Sequence, residues 1–273
     1  MTTALSTGEQ ALADVFATAS QQQRAALIGY LPAGYPSVDG AADAMLAMVD
    51  AGADLVEVGL PYSDPLMDGP VIQQAVDAAL RAGTTTTDVL RTVETLAGRG
   101  VTAVVMSYWN PIERHGAAAF ARDLAAAGGA GVITPDLIPD EAADWLVAAR
   151  AAALGTVFLV APSSTDDRLA LTARACRGFV YAASTMGVTG ARASVGGAAE
   201  RLVGRTREVT DLPIGVGLGV STGEQAAEVA GFADGVIVGS ALVRELLAAD
   251  TPAAGLDALG VLTADLAAGV QRT

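Results

Sequence analysis

The chain has 273 residues, of which 52% are hydrophobic, and a formal net charge of −14. That length fits one large domain or two small ones, and barrels of alternating strand and helix commonly reach it as one. The acidic balance excludes a nucleic-acid binder, which needs basic surface, and all 16 basic residues are arginines, which excludes a Schiff-base lysine, a pyridoxal-phosphate anchor and a Walker-type phosphate lysine.

In chain order, Ser6 to Ser20 reads as a short amphipathic helix with Leu12, Val15 and Phe16 on one face. Ala25 to Leu31 is a first buried strand, and its Pro32-Ala-Gly-Tyr-Pro36 end is a turn by its Pro and Gly content. Ser37 can cap a helix to about Ala51. A second strand, Ala53 to Leu60, carries Glu57 in the middle of an apolar run. It breaks into a loop with three prolines, a glycine and two acids, Asp64 and Asp68. Helices are predicted over Pro70 to Ala82, stopped by Gly83, and over Thr87 to Arg99. Thr102 to Tyr108 is a third strand, followed by Trp109-Asn-Pro111 and a helix from Gly116 to Ala127. Gly129 to Thr134 is a fourth strand, ending in Pro135-Asp136-Leu-Ile-Pro139. A helix capped by Asp140 runs to Ala153, and Thr156 to Ala161 is a fifth strand. Thr165 to Ala175 is helical, with Asp166 and Asp167 in its favoured first turn, and Gly178 to Ala183 is a sixth strand. A Gly/Ser/Thr-rich loop from Ser184 to Gly197, suited to a lid, precedes a helix from Ala198 to Val209. Leu212 to Gly217 is a seventh strand, Thr222 to Gly231 a helix, and Gly235 to Val238 an eighth strand. Gly239-Ser240 opens the next helix, and the tail to Thr273 is helical.

Strands that are apolar throughout are buried on both faces. Strict alternation with helices implies right-handed crossovers and a parallel sheet. Eight such units in one domain, residues 1–273, predict an α/β fold: a (β/α)8 TIM barrel with an extra N-terminal helix. A doubly wound open sheet is the alternative, weakened by the lack of GxGxxG after the first strand. Met1 to Gln23 has neither a basic leader nor a long apolar run, so no signal peptide is expected. No unbroken apolar stretch of about eighteen residues occurs, so no membrane span is expected and the location is read as cytoplasmic. The single His115 leaves no histidine cluster for a metal, and the single Cys176 no internal disulfide.

In such barrels the chemistry sits at the C-terminal ends of the strands. That rule selects Tyr30, Glu57, Asp64, Asp68, Tyr108, Asn110, Asp136, Tyr181, Thr189 and the late glycine loops. A carboxylate among Leu and Val side chains costs several kcal/mol unless it is paired or its pKa rises, so Glu57 is a candidate acid/base. Gly215-Val-Gly217-Leu-Gly219 and Gly239-Ser240 follow strands seven and eight, with Gly187-Val-Thr-Gly190 after strand six. Backbone N–H groups at glycine turns and helix starts hold anions, and phosphate binding after strands seven and eight recurs in these barrels.

The run from Glu57 through Ser63-Asp64-Pro65-Leu66-Met67-Asp68 to Gln73 resembles the signature of the tryptophan synthase α subunit family. Tyr30 to Pro36, Tyr108 to Pro111, Tyr181 to Gly190, Gly217 to Gly219 and Gly239-Ser240 match that family in order, so the likeness spans nearly the whole chain. The resemblance implies a lyase of tryptophan biosynthesis that splits indole-3-glycerol phosphate by retro-aldol chemistry to indole and glyceraldehyde 3-phosphate. It implies Glu57 as the catalytic acid/base, with Asp68 holding the indole N–H. Tyr30, Tyr108, Tyr181 and Thr189 would line the substrate, and Gly190, Gly219, Gly239 and Ser240 would bind its phosphate. Asp64 and Pro65 would belong to a loop that closes over the site and meets a partner. That partner would be a β subunit in an α2β2 complex, carrying the pyridoxal phosphate that this chain does without; no metal is implied. The family's lid often reads Ser-Arg-x-Gly-Val-Thr-Gly, where this chain has Ser184-Thr185-Met-Gly-Val-Thr-Gly190.

The residues themselves agree with such chemistry: a proton must reach ring carbon C3 and another must leave a side-chain hydroxyl. A buried carboxyl with a raised pKa can do both near neutrality. A related phosphate-binding barrel enzyme would need the catalytic lysine of an indole-glycerol-phosphate synthase or the metal-binding histidines of a pentose-phosphate epimerase, and both are lacking. The other alternative is a non-catalytic barrel that only activates a pyridoxal-phosphate synthase partner.

Overall fold

The computed structural model describes residues 8–183 and 196–272. Helix α1 (Gly8–Gln21) leads into β1 (Ala26–Pro32), α2 (Val38–Asp50), β2 (Leu55–Gly59), α3 (Pro70–Arg81), α4 (Thr86–Gly98) and β3 (Ala103–Met106). Then come α5 (Trp109–His115), α6 (Ala117–Ala126), β4 (Gly131–Thr134), a 3-10 turn at Pro139–Glu141, α7 (Ala143–Ala151), β5 (Gly155–Val160) and α8 (Asp166–Ala175). The chain finishes with β6 (Val180–Ala183), α9 (Gly196–Arg207), β7 (Ile214–Gly217), α10 (Gly223–Ala230), β8 (Gly235–Val238), α11 (Ser240–Ala248) and α12 (Pro252–Gly269). The strands close in sequence order, and β1 pairs in parallel with both β2 and β8. This is the expected (β/α)8 barrel.

Side chains alternate in and out of the wall because strand residues have a period of two. The inward set includes Ile28, Leu55, Val104, Ile133, Val157, Phe179 and Ile237. The outward set, with Val56, Val58, Val105, Val132 and Val216, packs under the helices. Helix α1 joins the inner set, with Leu12, Phe16 and Ala19 buried; the Phe16 ring meets Phe179 at 5.3 Å. Leu12 fits where Gly155 and Gly178 have no side chain, since a Cβ on either would strike its Cδ1. The N-terminal helix therefore plugs the end of the barrel opposite the strand C-termini. Nearby, Arg24 donates to Asp54 at 2.7 Å, and Asp54 also accepts the Leu27 N–H at 2.8 Å.

Helix starts follow local chemistry. Ser37, Thr85, Thr165, Thr222 and Thr251 each accept a backbone N–H of the first turn, and Thr85 with Asp88 forms a reciprocal capping box.

One expectation is corrected and two are filled in. Trp109 to His115, given no element from the sequence, is helical; Pro111 sits in the first turn, where a missing N–H breaks no helical bond. Asp140 does not cap the next helix: it lies in the 3-10 turn, pairs with Arg168, and Ala142 stands at the cap position. The helix opened at Gly239-Ser240 and the helical tail are separate elements, because Thr251 and Pro252 start α12 afresh.

Candidate active site

Parallel strands put every C-terminal end at one mouth, and the site is built there. Glu57 is the central residue of β2, paired across the wall with Tyr30 on one side and Val104 on the other. Its neighbours Val56 and Val58 face the helices, so Glu57 faces in. Only 1% of it is exposed, and its Oε1 has no hydrogen-bond partner among the described residues. Burial alone pushes its carboxyl up from 4.5 to about 8. At neutral pH this side chain is a protonated acid inside the barrel, and it becomes a carboxylate after giving up that proton.

Tyr30 occupies the wall between Glu57 and the start of α11. Its phenol lies flat over the backbone of Gly59, where a Cβ would strike the hydroxyl. Its other edge rests on Gly239, where a Cβ would come within 3.3 Å of Cδ1. Tyr181 does the same across Gly217 on β7. Both hydroxyls are held well above their ordinary pKa by desolvation first, and then by the charges of Asp68 and Glu57. They remain neutral hydrogen-bond donors at any working pH.

Asp68 reaches the same space from the loop after β2. Tyr108, at the start of α5, donates from its hydroxyl to Asp68 Oδ1 at 3.3 Å and accepts the Met67 N–H at 2.9 Å. Desolvation raises Asp68 above the usual carboxylate range, and the Tyr108 hydrogen bond opposes the rise. Gln73 donates to the Asp68 carbonyl at 2.8 Å, and the Tyr62 and Tyr108 rings meet at a tilt, centroids 5.4 Å apart. The mouth thus brings two carboxyls together with the phenols of Tyr30, Tyr108 and Tyr181.

Gly219 and Gly239 lie on the other side, beyond the C-terminal ends of β7 and β8. Gly219 has φ +72, a left-handed conformation that favours glycine. Gly239 is the N-cap of α11 and places no side-chain cap on it. Gly239 thus gives the first N–H groups of α11 no side-chain cap, and Ser240 places a hydroxyl beside them. Asp64 is exposed and accepts from Ser63 Oγ at 2.6 Å; Pro65 is half-buried next to it. Thr189 and Gly190, with the whole span 184–195, lie outside the described residues.

Two other rim residues selected from the sequence stand away from the acids. Asp136 is exposed and accepts the Trp109 N–H at 2.9 Å, tying the loop after β4 to α5. Asn110 lines a separate surface cavity of about 620 Å³ with Tyr62, Thr85 and Arg114. Sequence reading gave no role to Gln73, Gly59 or Gly239's contact with Tyr30. Gln73 carried a signal in its place inside the quoted acidic run; the ring–glycine contacts carried none, because they join different strands. Among the described residues no helix is long and apolar enough to cross a membrane.

A family model described as tryptophan synthase alpha chain matches residues 16–271. A tryptophan synthase alpha chain from Mycobacterium avium is 59% identical over 261 residues, covering 96% of this chain and 94% of the relative. One from Salinispora arenicola is 61% identical over 256 residues, covering 94% and 96%. Among solved structures, Mycobacterium tuberculosis tryptophan synthase superposes with a TM-score of 0.90 at 58% identity, covering 96% of this chain and 98% of that one. The alpha subunit from Legionella pneumophila superposes with 0.85 at 30% identity, over 95% and 98%.

Proposed function

The chain belongs to the tryptophan synthase alpha chain family, and from that premise we propose that it is a lyase that cleaves indole-3-glycerol phosphate by retro-aldol chemistry. The products are indole and glyceraldehyde 3-phosphate. The observation that carries the reading is the buried carboxyl of Glu57, whose Oε1 has no hydrogen-bond partner among the described residues and which burial raises to about 8.

Glu57 delivers that proton to indole C3, and positive charge spreads to the ring nitrogen. Asp68, whose carboxyl takes a hydrogen bond from Tyr108 that favours its charged form, accepts the ring N–H, so the developing charge meets a carboxylate in a water-poor site. The new Glu57 carboxylate then takes the proton of the side-chain hydroxyl next to the ring. The bond between that carbon and C3 breaks, its electrons return to the ring, and the aldehyde leaves. One proton is given and one taken, so Glu57 ends as it began. Tyr30 and Tyr181 wall the ring as neutral phenols. Gly219, Gly239 and Ser240, with Gly190, hold the phosphate by N–H and O–H donors, which suits a chain without lysine. Tyr108 and Thr189 complete the substrate surface, and no cofactor takes part on this chain.

Leu66 and Met67, at 85% and 46% exposure, are the apolar crest of the loop that carries Asp64 and Pro65. Such a crest fits a docking face, and its occupant is the β subunit, in an α2β2 assembly, which carries pyridoxal phosphate and consumes indole. A cytoplasmic location follows from this place in biosynthesis.

The test is indole release from indole-3-glycerol phosphate by the purified chain, alone and with a β subunit. Glu57→Gln should lose about a thousandfold or more in kcat, at the upper part of what general acid–base catalysis supplies. Undiminished turnover in that variant ends the proposal.

A further inference from the structure

The strand order puts β1 between the two ends of the substrate. Glu57 stands on β2, Gly239 and Ser240 follow β8, and β1 pairs with both strands. A molecule gripped by the acid at one end and by the glycine turn at the other therefore lies across β1. Ile28 belongs to the inner set, so Tyr30 is the residue of β1 that faces this span, and it pairs with Glu57 across the wall. One edge of its ring rests on Gly239, while its hydroxyl lies over Gly59. Gly59 follows Glu57 by two residues on the same inward face of β2, so the hydroxyl stands one layer above the acid. Tyr30 is only 7% exposed, yet its hydroxyl has no hydrogen-bond partner among the described residues. The other phenols are placed differently. The Tyr108 hydroxyl is taken up by Met67 and Asp68, and Tyr181 lies over Gly217 on β7, two strands away from β1.

We propose that Tyr30 is a further catalytic residue, whose hydroxyl donates a hydrogen bond to the side-chain oxygen next to the indole ring, the oxygen that becomes the aldehyde. The inference rests on the function proposed above. Between ring and phosphate the substrate carries two hydroxyl-bearing carbons, and the one next to the ring lies nearest the acid. With a lone pair of that oxygen held by Tyr30, its own proton is left to point at Glu57. As Glu57 takes the proton and the bond to C3 breaks, negative charge passes through the oxygen before the carbonyl is complete. A donor already in place favours that charge and needs no rearrangement. Tyr30 keeps its own proton throughout, because burial and then the charges of Asp68 and Glu57 hold its phenol well above the ordinary pKa. Glu57 alone gives and takes protons, so the balance of the reaction is unchanged.

The experiment compares Tyr30→Phe with the unaltered chain, each alone and with a β subunit. Phenylalanine keeps the ring on Gly239 and breaks no hydrogen bond among the described residues, so the melting temperature should hold. Indole release from indole-3-glycerol phosphate should show a roughly three- to tenfold fall in kcat, the worth of one neutral hydrogen bond, with KM within about threefold. The second readout is inhibition by 3-(indol-3-yl)propyl phosphate, which keeps the ring and the phosphate and has no side-chain hydroxyl. Its inhibition constant should stay within about twofold, because the lost donor has no oxygen to meet there. A kcat that stays level overturns the proposal. So does an inhibition constant that rises as far as kcat falls, since the hydroxyl would then support the wall and not the reacting oxygen. A lowered melting temperature overturns it too, by showing that the hydroxyl serves a protein partner. An unaltered chain that releases no indole under either condition refutes the functional reading itself, whereas an active chain with an indifferent variant refutes only the role of Tyr30.

Discussion

Glu57→Gln should stabilise the fold while silencing it, and the gain should grow with pH. The carboxyl titrates near 4.5 in an open chain and near 8 when buried beside Leu55, Val56 and Val58. Between those values the unfolded chain has released a proton that the folded chain keeps. A carboxyl raised in this way contributes most below its unfolded pKa, and that contribution is lost as pH rises through the folded one. Each pH unit in the window costs about 1.4 kcal/mol. Integration gives a penalty of about 1 kcal/mol at pH 5, about 3 at pH 7 and about 5 at pH 9, where it levels off. Glutamine has nearly the same shape and never ionises, so it escapes the penalty. Chemical denaturation of both proteins at pH 5, 7 and 9 would read the difference directly; at pH 7 a gain of about 3 kcal/mol corresponds to roughly 6–10 °C in melting temperature. A stability difference that stays flat with pH, or a variant weaker than its parent at pH 9, would refute the idea that Glu57 is a desolvated, uncompensated acid.

Asp68→Asn keeps the shape and removes the anion; kcat should fall by about 10²–10³, the usual worth of one group placed against developing charge, with KM changed far less in steady-state assays. Gly59→Ala places a methyl where the Tyr30 hydroxyl lies; overpacking of this kind costs about 1–3 kcal/mol, so a lower melting temperature should accompany reduced turnover, and Gly59→Ala with Tyr30→Phe should recover part of both. Arg24→Leu leaves the Asp54 carboxylate, only 19% exposed, without its partner at the plugged end of the barrel; a loss of about 3–5 kcal/mol in urea unfolding is expected, with kcat per folded molecule unchanged because the mouth lies at the other end.

How much was legible beforehand differs by element. The eight apolar runs and their spacing specified the barrel, because a strand buried on both faces and followed by a helix has few other arrangements open to it. Glu57 was conspicuous for the same reason: a charge in a run that had no need of one. The helix at Trp109–His115 was obscured by Pro111, whose effect depends on its position in the first turn rather than on its presence. Asp140 has the chemistry of a cap but was drawn instead to Arg168, 28 residues away in sequence.

Sequence alone therefore determined what recurs locally: strand and helix periods, glycine at turns, acids where apolar residues belong, and the motif order that marks the family. Only the closed barrel decided which of these residues meet. Tyr30 lies across Gly59 and Gly239 because β1 stands between β2 and β8. Tyr108 finds Met67 and Asp68 about 40 residues away because β3 follows β2 around the wall. The proton affinity of Glu57 is likewise a property of the assembled interior, since it is set by how much water the surrounding strands exclude, a quantity that no stretch of chain possesses by itself.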